Sequence, residues 1–409
     1  MELISEEIPA KMQAPAMHQL NSLTLKKVGE NGLIVEKVIP FVTPMRLGII
    51  LEKISTKVNE SIKEIRGPRL GAPENAIEGF LKKNKIERSE LQEKKTDKGY
   101  FYFYSVKANA QSLSKILSRI FTEIIQEFNW PKSMYWGDNY SLRWVRPLRS
   151  IVAVLFQNKA RERVPVIVRD IDSDIVTRAH HVMNPEFFEF YSIDDYREKM
   201  LKGKVILQPM DRKKRIVQEG KKQAEARGFY LVEDDKLLDE IAGLTEFPVP
   251  ILGEIPKELL LIPEEVIITS MREHQKFLSL RSSVSGKVEG FLVIADLQTH
   301  DKQKTILSGN MRVLNSRLRD AMFFYQNDLN LVKVHGMRAW NDKLKSVRFH
   351  EKLGSQYCRV ERIVKIAILL ARKFDLEEDR VRKAATFIKA DLVSNIVAEF
   401  PSLQGIMGA

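Results

Sequence analysis

Apolar residues in this chain come in short runs with two different periods. No stretch of its 409 residues approaches the ~18 uncharged apolar residues that a membrane-spanning helix needs. That pattern excludes a helical membrane protein and points to alternating short strands and helices. Residues 33–54 are extended around Val38-Ile39-Pro40-Phe41-Val42 and Leu47-Gly48-Ile49-Ile50-Leu51. Tyr100-Phe101-Tyr102-Phe103-Tyr104-Ser105-Val106 carries the aromatic enrichment of a strand. Residues 112–128 set Leu113, Ile116, Leu117, Ile120, Phe121, Ile124 and Ile125 at helical spacing. Residues 59–74, polar and punctuated by Gly67, Pro68, Gly71 and Pro73, read as a loop.

Further along, Pro147 is placed to open a helix through Ile151-Val152-Ala153-Val154-Leu155. Residues 160–300 read as mixed α/β. Within them Asp211 is a candidate N-cap for a basic helix that stops near Gly228. Phe277-Leu278-Ser279-Leu280 and Phe291-Leu292-Val293-Ile294 form a candidate hairpin across Ser285-Gly286. After residue 301 strand signals end, and 309–330, 342–373 and 377–400 read as helices. At roughly 100–200 residues per domain, two to four domains are expected. The divisions are an N-terminal α/β region over 1–156, a mixed α/β region with connecting helices over 157–335, and a helical module over 336–409. Phe387, Ile388, Leu392, Ile396 and Val397 form an apolar stripe that needs partner helices. The module is therefore expected to be incomplete at Ala409; the other reading is a helical hairpin packed on the α/β body.

The net charge of +12 favours polyanionic partners, nucleic acid first and an anionic membrane surface second. Arg143-Trp144-Val145-Arg146-Pro147-Leu148-Arg149 repeats arginine every third residue. At the start of a helix those guanidinium groups would crowd an end that is already positive, a site for a phosphate. Pairing with an acid such as Asp138 is the alternative. On the amphipathic segment 310–321, Met311, Leu314, Leu318 and Ala321 mark a buried stripe, with Arg312 and Arg319 together on the outer face. Such a row tracks a nucleic-acid backbone or is simply solvated. Asp211-Arg212-Lys213-Lys214-Arg215 reads as a solvated charge run. In Arg272-Glu273-His274-Gln275-Lys276, the three basic residues either meet a phosphate or cover a solvated helix end.

Common self-contained catalytic motifs are missing: no G-x-x-x-x-G-K-[ST], G-x-G-x-x-G, G-x-S-x-G or H-E-x-x-H occurs. The single cysteine, Cys358, excludes an internal disulfide framework and a cysteine-based zinc site, and fits a reducing, cytoplasmic compartment. His180 and His181 would face opposite sides of a strand, so they do not ligate one metal easily. His350, at a helix start, and Asp391, on a later helix, echo the ligands of HD-type metal-dependent phosphohydrolases. Ala390 stands where the second histidine belongs, so the pair reads as the polar remnant of a degenerate, metal-free domain.

Trp130-Pro131-Lys132-Ser133-Met134, Trp136-Gly137-Asp138, Arg143-Trp144-Val145-Arg146-Pro147 and Phe247-Pro248-Val249 are the first of many collinear blocks that resemble the β subunit of bacterial tetrameric glycyl-tRNA synthetase. Leu261-Ile262-Pro263-Glu264-Glu265-Val266, Thr269-Ser270-Met271-Arg272-Glu273-His274-Gln275-Lys276, Gly309-Asn310-Met311-Arg312-Val313-Leu314 and Phe349-His350-Glu351-Lys352-Leu353-Gly354 extend the likeness, as does Glu399-Phe400-Pro401-Ser402-Leu403-Gln404-Gly405. The resemblance implies an α+β fold: a mixed α/β body with a B3/B4-like module, then a partial, degenerate all-α HD-like domain. It implies a subunit of an aminoacyl-tRNA ligase that binds tRNA(Gly) in an α2β2 assembly, with ATP and Mg used through the α subunit and no catalytic centre in this chain. Members of that family run well beyond the position of Gly408, so the chain is expected to be C-terminally truncated. The candidate tRNA-contacting residues are Arg143, Arg146, Arg149, Arg272, His274, Lys276, Arg312 and Arg319. An HD-type phosphohydrolase and a non-catalytic RNA-binding module are the competing readings.

Overall fold

A computed structural model describes residues 1–56, 62–84, 86–96, 99–107, 112–136, 142–157 and 160–409. The chain gathers into two compact units. The first holds Met1–Ile8, Met12–Thr177 and Phe187–Arg197, the second Pro9–Lys11, Arg178–Glu186 and Glu198–Ala409.

The first unit contains β1 (Glu2–Ser5), α1 (Ala10–Glu30), β2 (Leu33–Thr43), β3 (Arg46–Thr56), β4 (Ile62–Arg69), α2 (Glu74–Asn84), β5 (Leu91–Thr96), β6 (Gly99–Lys107) and α3 (Leu113–Glu127). Then follow β7 (Met134–Trp136), β8 (Leu142–Trp144), β9 (Leu148–Val152), β10 (Val154–Gln157), β11 (Ala160–Arg163), β12 (Ile167–Val168), β13 (Ile171–Asp174), β14 (Val176–Arg178) and β15 (Phe187–Glu189). Six strands form one sheet in the order β12-β13-β9-β1-β3-β2. The strands expected at 33–54 and 100–106 are present, as is the helix at 112–128. Leu117, Ile120, Phe121, Ile124 and Ile125 of α3 are buried in the unit's core.

Two expectations fail here. The segment expected to be a loop carries β4, whose Ile65 and Arg66 pair with Tyr104 and Phe103 of β6. Gly67 and Pro68 sit where the register slips, the kind of place a strand tolerates them. The segment after Pro147 is not a helix but β9 followed by β10. A short apolar run rich in β-branched residues fits a fully buried strand as well as a helix. Here Ile151 has Leu3 of β1 on one side and Ser173 of β13 on the other, and it is completely buried.

Charge is also buried in this sheet. The Arg46 guanidinium donates to Glu2 Oε1 at 2.9 Å, and both residues are at most 3% exposed. Thr177 Oγ1 donates to the other carboxylate oxygen at 2.9 Å. Lys27 of α1 donates to Glu123 (2.9 Å) and Glu127 of α3, which holds its ammonium well above the ordinary lysine range.

Helix α4 (Ile193–Lys202) has its first half in the first unit and its second half in the second, which continues with α5 (Pro209–Glu225), β16 (Phe229–Leu231), α6 (Asp235–Ala242), β17 (Val249–Glu254), α7 (Glu264–Thr269), β18 (Leu278–Ser282) and β19 (Val288–Ala295). Next come α8 (Lys304–His335), α9 (Arg338–Lys343), β20 (Arg348–His350), β21 (Gly354–Ser355), α10 (Gln356–Lys373), α11 (Glu378–Phe387) and α12 (Asn395–Glu399). Its four-stranded antiparallel sheet, ordered β16-β18-β19-β17, is covered on both faces. Leu252 and Leu292 point to a core with Ile216, Leu238 and Ile241 of α5 and α6. Ile251, Phe291 and Val293 point to a core with Leu314, Leu318, Ile396 and Phe400. The alternation of neighbours between the two cores is the two-residue period of a strand. In both units a glycine faces a phenylalanine across paired strands, Gly48 opposite Phe41 and Gly253 opposite Phe291. A Cβ at either glycine would fall within 2.3 Å of that ring, so no larger residue fits without displacing it.

The hairpin expected across Ser285-Gly286 is β18–β19, with Gly286 at φ +70°. The helices expected at 342–373 and 377–400 are interrupted. Positive-φ Gly354 closes the small hairpin β20–β21, and Ser355 caps α10 by accepting from Cys358 N at 3.3 Å, so α10 starts only at Gln356. Ser394 likewise restarts the chain as α12, whose first amides are taken by the buried carboxylate of Asp328 (Asn395 N and Ile396 N, each 3.0 Å). Part of the apolar stripe at 387–397 is thus covered, since Ile396 and Val397 pack into the second unit's own core.

The run 211–215 is not a solvated one, and Asp211 is not the N-cap. Gln208 precedes the helix, Pro209 opens it, and Asp211 lies in its first turn. Arg212 is completely buried. It donates to the carbonyls of Ala242 (2.7 Å), Ile206 (2.7 Å) and Leu207 (3.2 Å), and burial lowers its guanidinium to about 10. It heads a stripe with Ile216, Gly220 and Ala224, four residues apart on one helix face. Lys213 pairs with Asp239 (2.7 Å), and Arg215 donates to Pro248 O (3.0 Å).

Two stability predictions follow from these buried charges. Arg46→Met strands the Glu2 carboxylate and is expected to cost about 3–5 kcal/mol in urea unfolding, whereas Glu2→Gln with Arg46→Met costs less than the two single changes added together. Arg212→Met is expected to destabilise the second unit by about 3 kcal/mol or more, because three carbonyls lose their donor. Lys214→Met, two residues on and largely exposed, should stay within about 0.5 kcal/mol.

Candidate nucleic-acid interface

The arginine block is built on an aromatic anchor. Trp144 is completely buried, with Trp130 and Phe128 each at 5.2 Å between ring centroids. Such ring pairs contribute about 0.5–1.5 kcal/mol each beyond the area they bury. Neighbours on a strand point to opposite faces, so burying Leu142 and Trp144 turns Arg143 outward. The backbone of β8 pairs with β7, setting Arg143 opposite Tyr135. The guanidinium carbon lies 5.5 Å from the Tyr135 ring centroid, and Nε donates to Ser133 Oγ at 2.6 Å. Arg146 is exposed beside Met134, its Nη1 3.5 Å from the sulfur. Among the described residues, no carboxylate pairs with Arg143 or Arg146.

Arg149 is different. On β9, it donates through Nε to Glu6 Oε1 at 2.7 Å, so a carboxylate of the chain itself neutralises it. With β9 in place of a helix, there is no helix N-terminus for the three arginines to crowd. Arg143 and Arg146 form instead a cationic edge at β7, by Tyr135, which is 56% exposed, and Met134. Asp138, the acid weighed as their partner, and Gly137 lie outside the described residues, as does the side chain of Trp136.

The second basic group is occupied. Arg272 and His274 sit on a π-helical turn, Ser270–Gln275, that ends at left-handed Lys276 (φ 56°). Arg272 Nε lies 3.0 Å from Asp234, and Lys276 Nζ 3.2 Å from Glu240. The His274 ring stands edge-on to Phe400 at 5.3 Å. The two flanking cations are thus answered by acids at or on α6, so the structure does not set out all three basic residues for a phosphate. Arg312 and Arg319 are both exposed on α8, opposite buried Leu314, Leu318 and Ala321, and no carboxylate among the described residues pairs with them. Seven residues apart, they lie about 10 Å from each other along the helix.

His350 and Asp391 do not act as polar core partners. His350 is exposed on β20, and its Nδ1 accepts from Lys352 N at 3.2 Å. Asp391 is buried in a 3-10 turn and accepts from the amides of Gly405 and Gly408 (3.1 Å to the latter). Among the described residues, no three His, Cys, Asp or Glu side chains group to hold a metal ion. The first unit does hold a cavity of about 470 Å³, lined mainly by apolar residues such as Phe41, Ile49, Leu117 and Phe121.

Sequence reasoning missed one polar cluster. His180, completely buried, accepts from Val182 N (3.2 Å) and Met183 N (3.1 Å) through Nδ1, and its Nε2 lies 3.1 Å from Asp296 Oδ2. Asp296 Oδ1 accepts from Glu246 N and Phe247 N. The exposed His181 ring stacks on His180 at 5.0 Å. The adjacent histidines were visible in the sequence. Their partner, more than a hundred residues away, was not.

The model of the family described as glycyl-tRNA synthetase beta subunit matches residues 1–409. The glycine–tRNA ligase beta subunit of Dinoroseobacter shibae is 41% identical over 408 residues, which is 100% of this chain and 56% of that protein. Those of Paracoccus denitrificans and of a Ruegeria species are 42% and 41% identical, again over all of this chain and 59% of theirs. The chain therefore spans somewhat more than half the length of these relatives. With a family model matched from end to end and these identities over its whole length, the chain belongs to the glycyl-tRNA synthetase beta subunit family.

Proposed function

We propose that this chain is the tRNA-gripping part of a glycine–tRNA ligase β subunit. It holds tRNA(Gly) while a partner α subunit, using ATP and Mg, attaches glycine in the cytoplasm. The observation that carries this reading is the cationic edge of Arg143 and Arg146 beside exposed Tyr135, in a chain of net charge +12 that belongs to this family. Guanidinium groups without an internal carboxylate are suited to phosphates, and an open aromatic ring is suited to a base. Arg312 and Arg319 supply a second row with the same chemistry. An α2β2 assembly is part of the proposal, as are a B3/B4-like module within 157–335 and the beginning of a degenerate HD-like domain over 336–409. The phosphohydrolase reading has less support, because His350 and Asp391 are held by different partners.

The test is the salt dependence of tRNA(Gly) binding by the chain. The log–log slope is expected to fall by about 0.7–0.9 for each phosphate contact removed, so Arg143→Gln with Arg146→Gln should flatten it by roughly 1.5 and weaken binding. Arg149→Gln should change the slope less, since Glu6 already neutralises it. A slope unaltered by the double replacement would remove this edge from the interface.

A further inference from the structure

Strands β4, β6 and β5 form a three-stranded antiparallel sheet apart from the six-stranded one. Its two faces differ. On one, Tyr102 and Tyr104 share a side with Leu91 and Ile65. Helix α2 lies on that side: the Phe80 ring is 3.0 Å from where a Cβ on Gly67 would stand, and Arg88, which pairs with Glu74 of α2, also interacts with Tyr102. On the other face, Phe101 and Phe103 stand two residues apart on the central strand. Both are half-buried, and neither joins the unit's core.

Cations frame these rings. The pairing sets Arg66 opposite Phe103 on one side, with Gln92 and Lys94 opposite Phe103 and Phe101 on the other. The Arg66 guanidinium carbon lies 3.6 Å from the centroid of the Phe101 ring, close to van der Waals contact. The Arg69 guanidinium sits at the end of the same row, 2.9 Å from where a Cβ on Gly99 would be. Two half-buried rings on one sheet face, one with a guanidinium laid over it and a second guanidinium at the end of the row, are the components of a base-stacking platform, since bases stack on aromatic rings and on guanidinium planes alike.

We propose that this face binds unpaired nucleotides of an RNA, with Phe103 and the Arg66–Phe101 pair receiving base faces while Arg69 meets a flanking phosphate. Charge complementarity selects the occupant: an apolar peptide would gain nothing from the cations, and a duplex hides its base faces. The inference deepens the tRNA-gripping reading by naming a single-stranded element as what this face takes. It predicts a single-strand preference that depends on the rings of Phe101 and Phe103.

The experiment uses the whole chain and a fluorescein-labelled, unstructured RNA heptamer, read by anisotropy beside a blunt RNA duplex of equal length. The heptamer is expected to bind at least fivefold more tightly than the duplex. Phe101→Leu with Phe103→Leu keeps the apolar bulk and removes the rings, and should weaken heptamer binding about tenfold or more. If the leucine variant does not fold, as judged by its thermal midpoint, Arg66→Gln with Arg69→Gln takes its place and should lose at least threefold. Equal binding of heptamer and duplex, or unchanged heptamer affinity in the folded variants, overturns the proposal. So does a loss confined to sedimentation with anionic phosphatidylserine vesicles. A chain that binds the heptamer as expected but not tRNA(Gly) sinks the tRNA-gripping reading and leaves this platform standing.

Discussion

A β-strand cannot place neighbouring side chains on the same face, and the cationic edge of this protein depends on that constraint. Trp144 is drawn inward by Trp130 and Phe128. Arg143 then has nowhere to go but outward, over Tyr135. The aromatic residues and the arginines of this block are one device: the rings fix the backbone, and the backbone aims the charges. A helix at the same place would have gathered three guanidinium groups at a positive helix end, a state that needs a bound anion merely to be tolerable. The strand avoids that cost. It leaves two arginines without a carboxylate partner among the described residues and gives the third to Glu6.

Much of the fold was legible because period follows geometry. The apolar spacing of 112–128 is a helix in the structure, and the aromatic run at 100–106 is a strand. The failures have physical causes. Leu148–Val152 has strands on both sides, and the apolar run that it opens, with Ile151, Val152 and Ala153 all buried, lacks the alternation that marks a strand in a sequence. The charge run at 211–215 was misread because charge is a poor guide to exposure when a helix stripe decides it. Arg212 lies four residues before Ile216 and eight before the matching small position Gly220, so its stem is carried inside and its head must find carbonyls. The interruptions near 350 and 394 were foreshadowed by Gly354, Ser355 and Ser394, a turn glycine and two caps that the helical period outweighed.

The candidate site was legible in part. The sequence singled out Arg143 and Arg146, and the structure leaves them exposed; Arg312 and Arg319 also share an outer helix face. It could not reveal that Asp234 and Glu240 answer Arg272 and Lys276, because those acids stand some forty residues away along the chain. Nor could it reveal the His180–Asp296 contact. Long-range pairing decides which cations are spent on the fold and which remain for a ligand.

The proposed function is a division of labour in which this polypeptide supplies the grip and another supplies the bond-making chemistry. The most direct measurement is glycine attachment to tRNA(Gly) in the presence of glycine, ATP and Mg, with the chain alone and with the α subunit added, a full-length β subunit serving as the control. The account predicts no charging by the chain alone, and charging only where the α subunit is present. Charging by the isolated chain would contradict it.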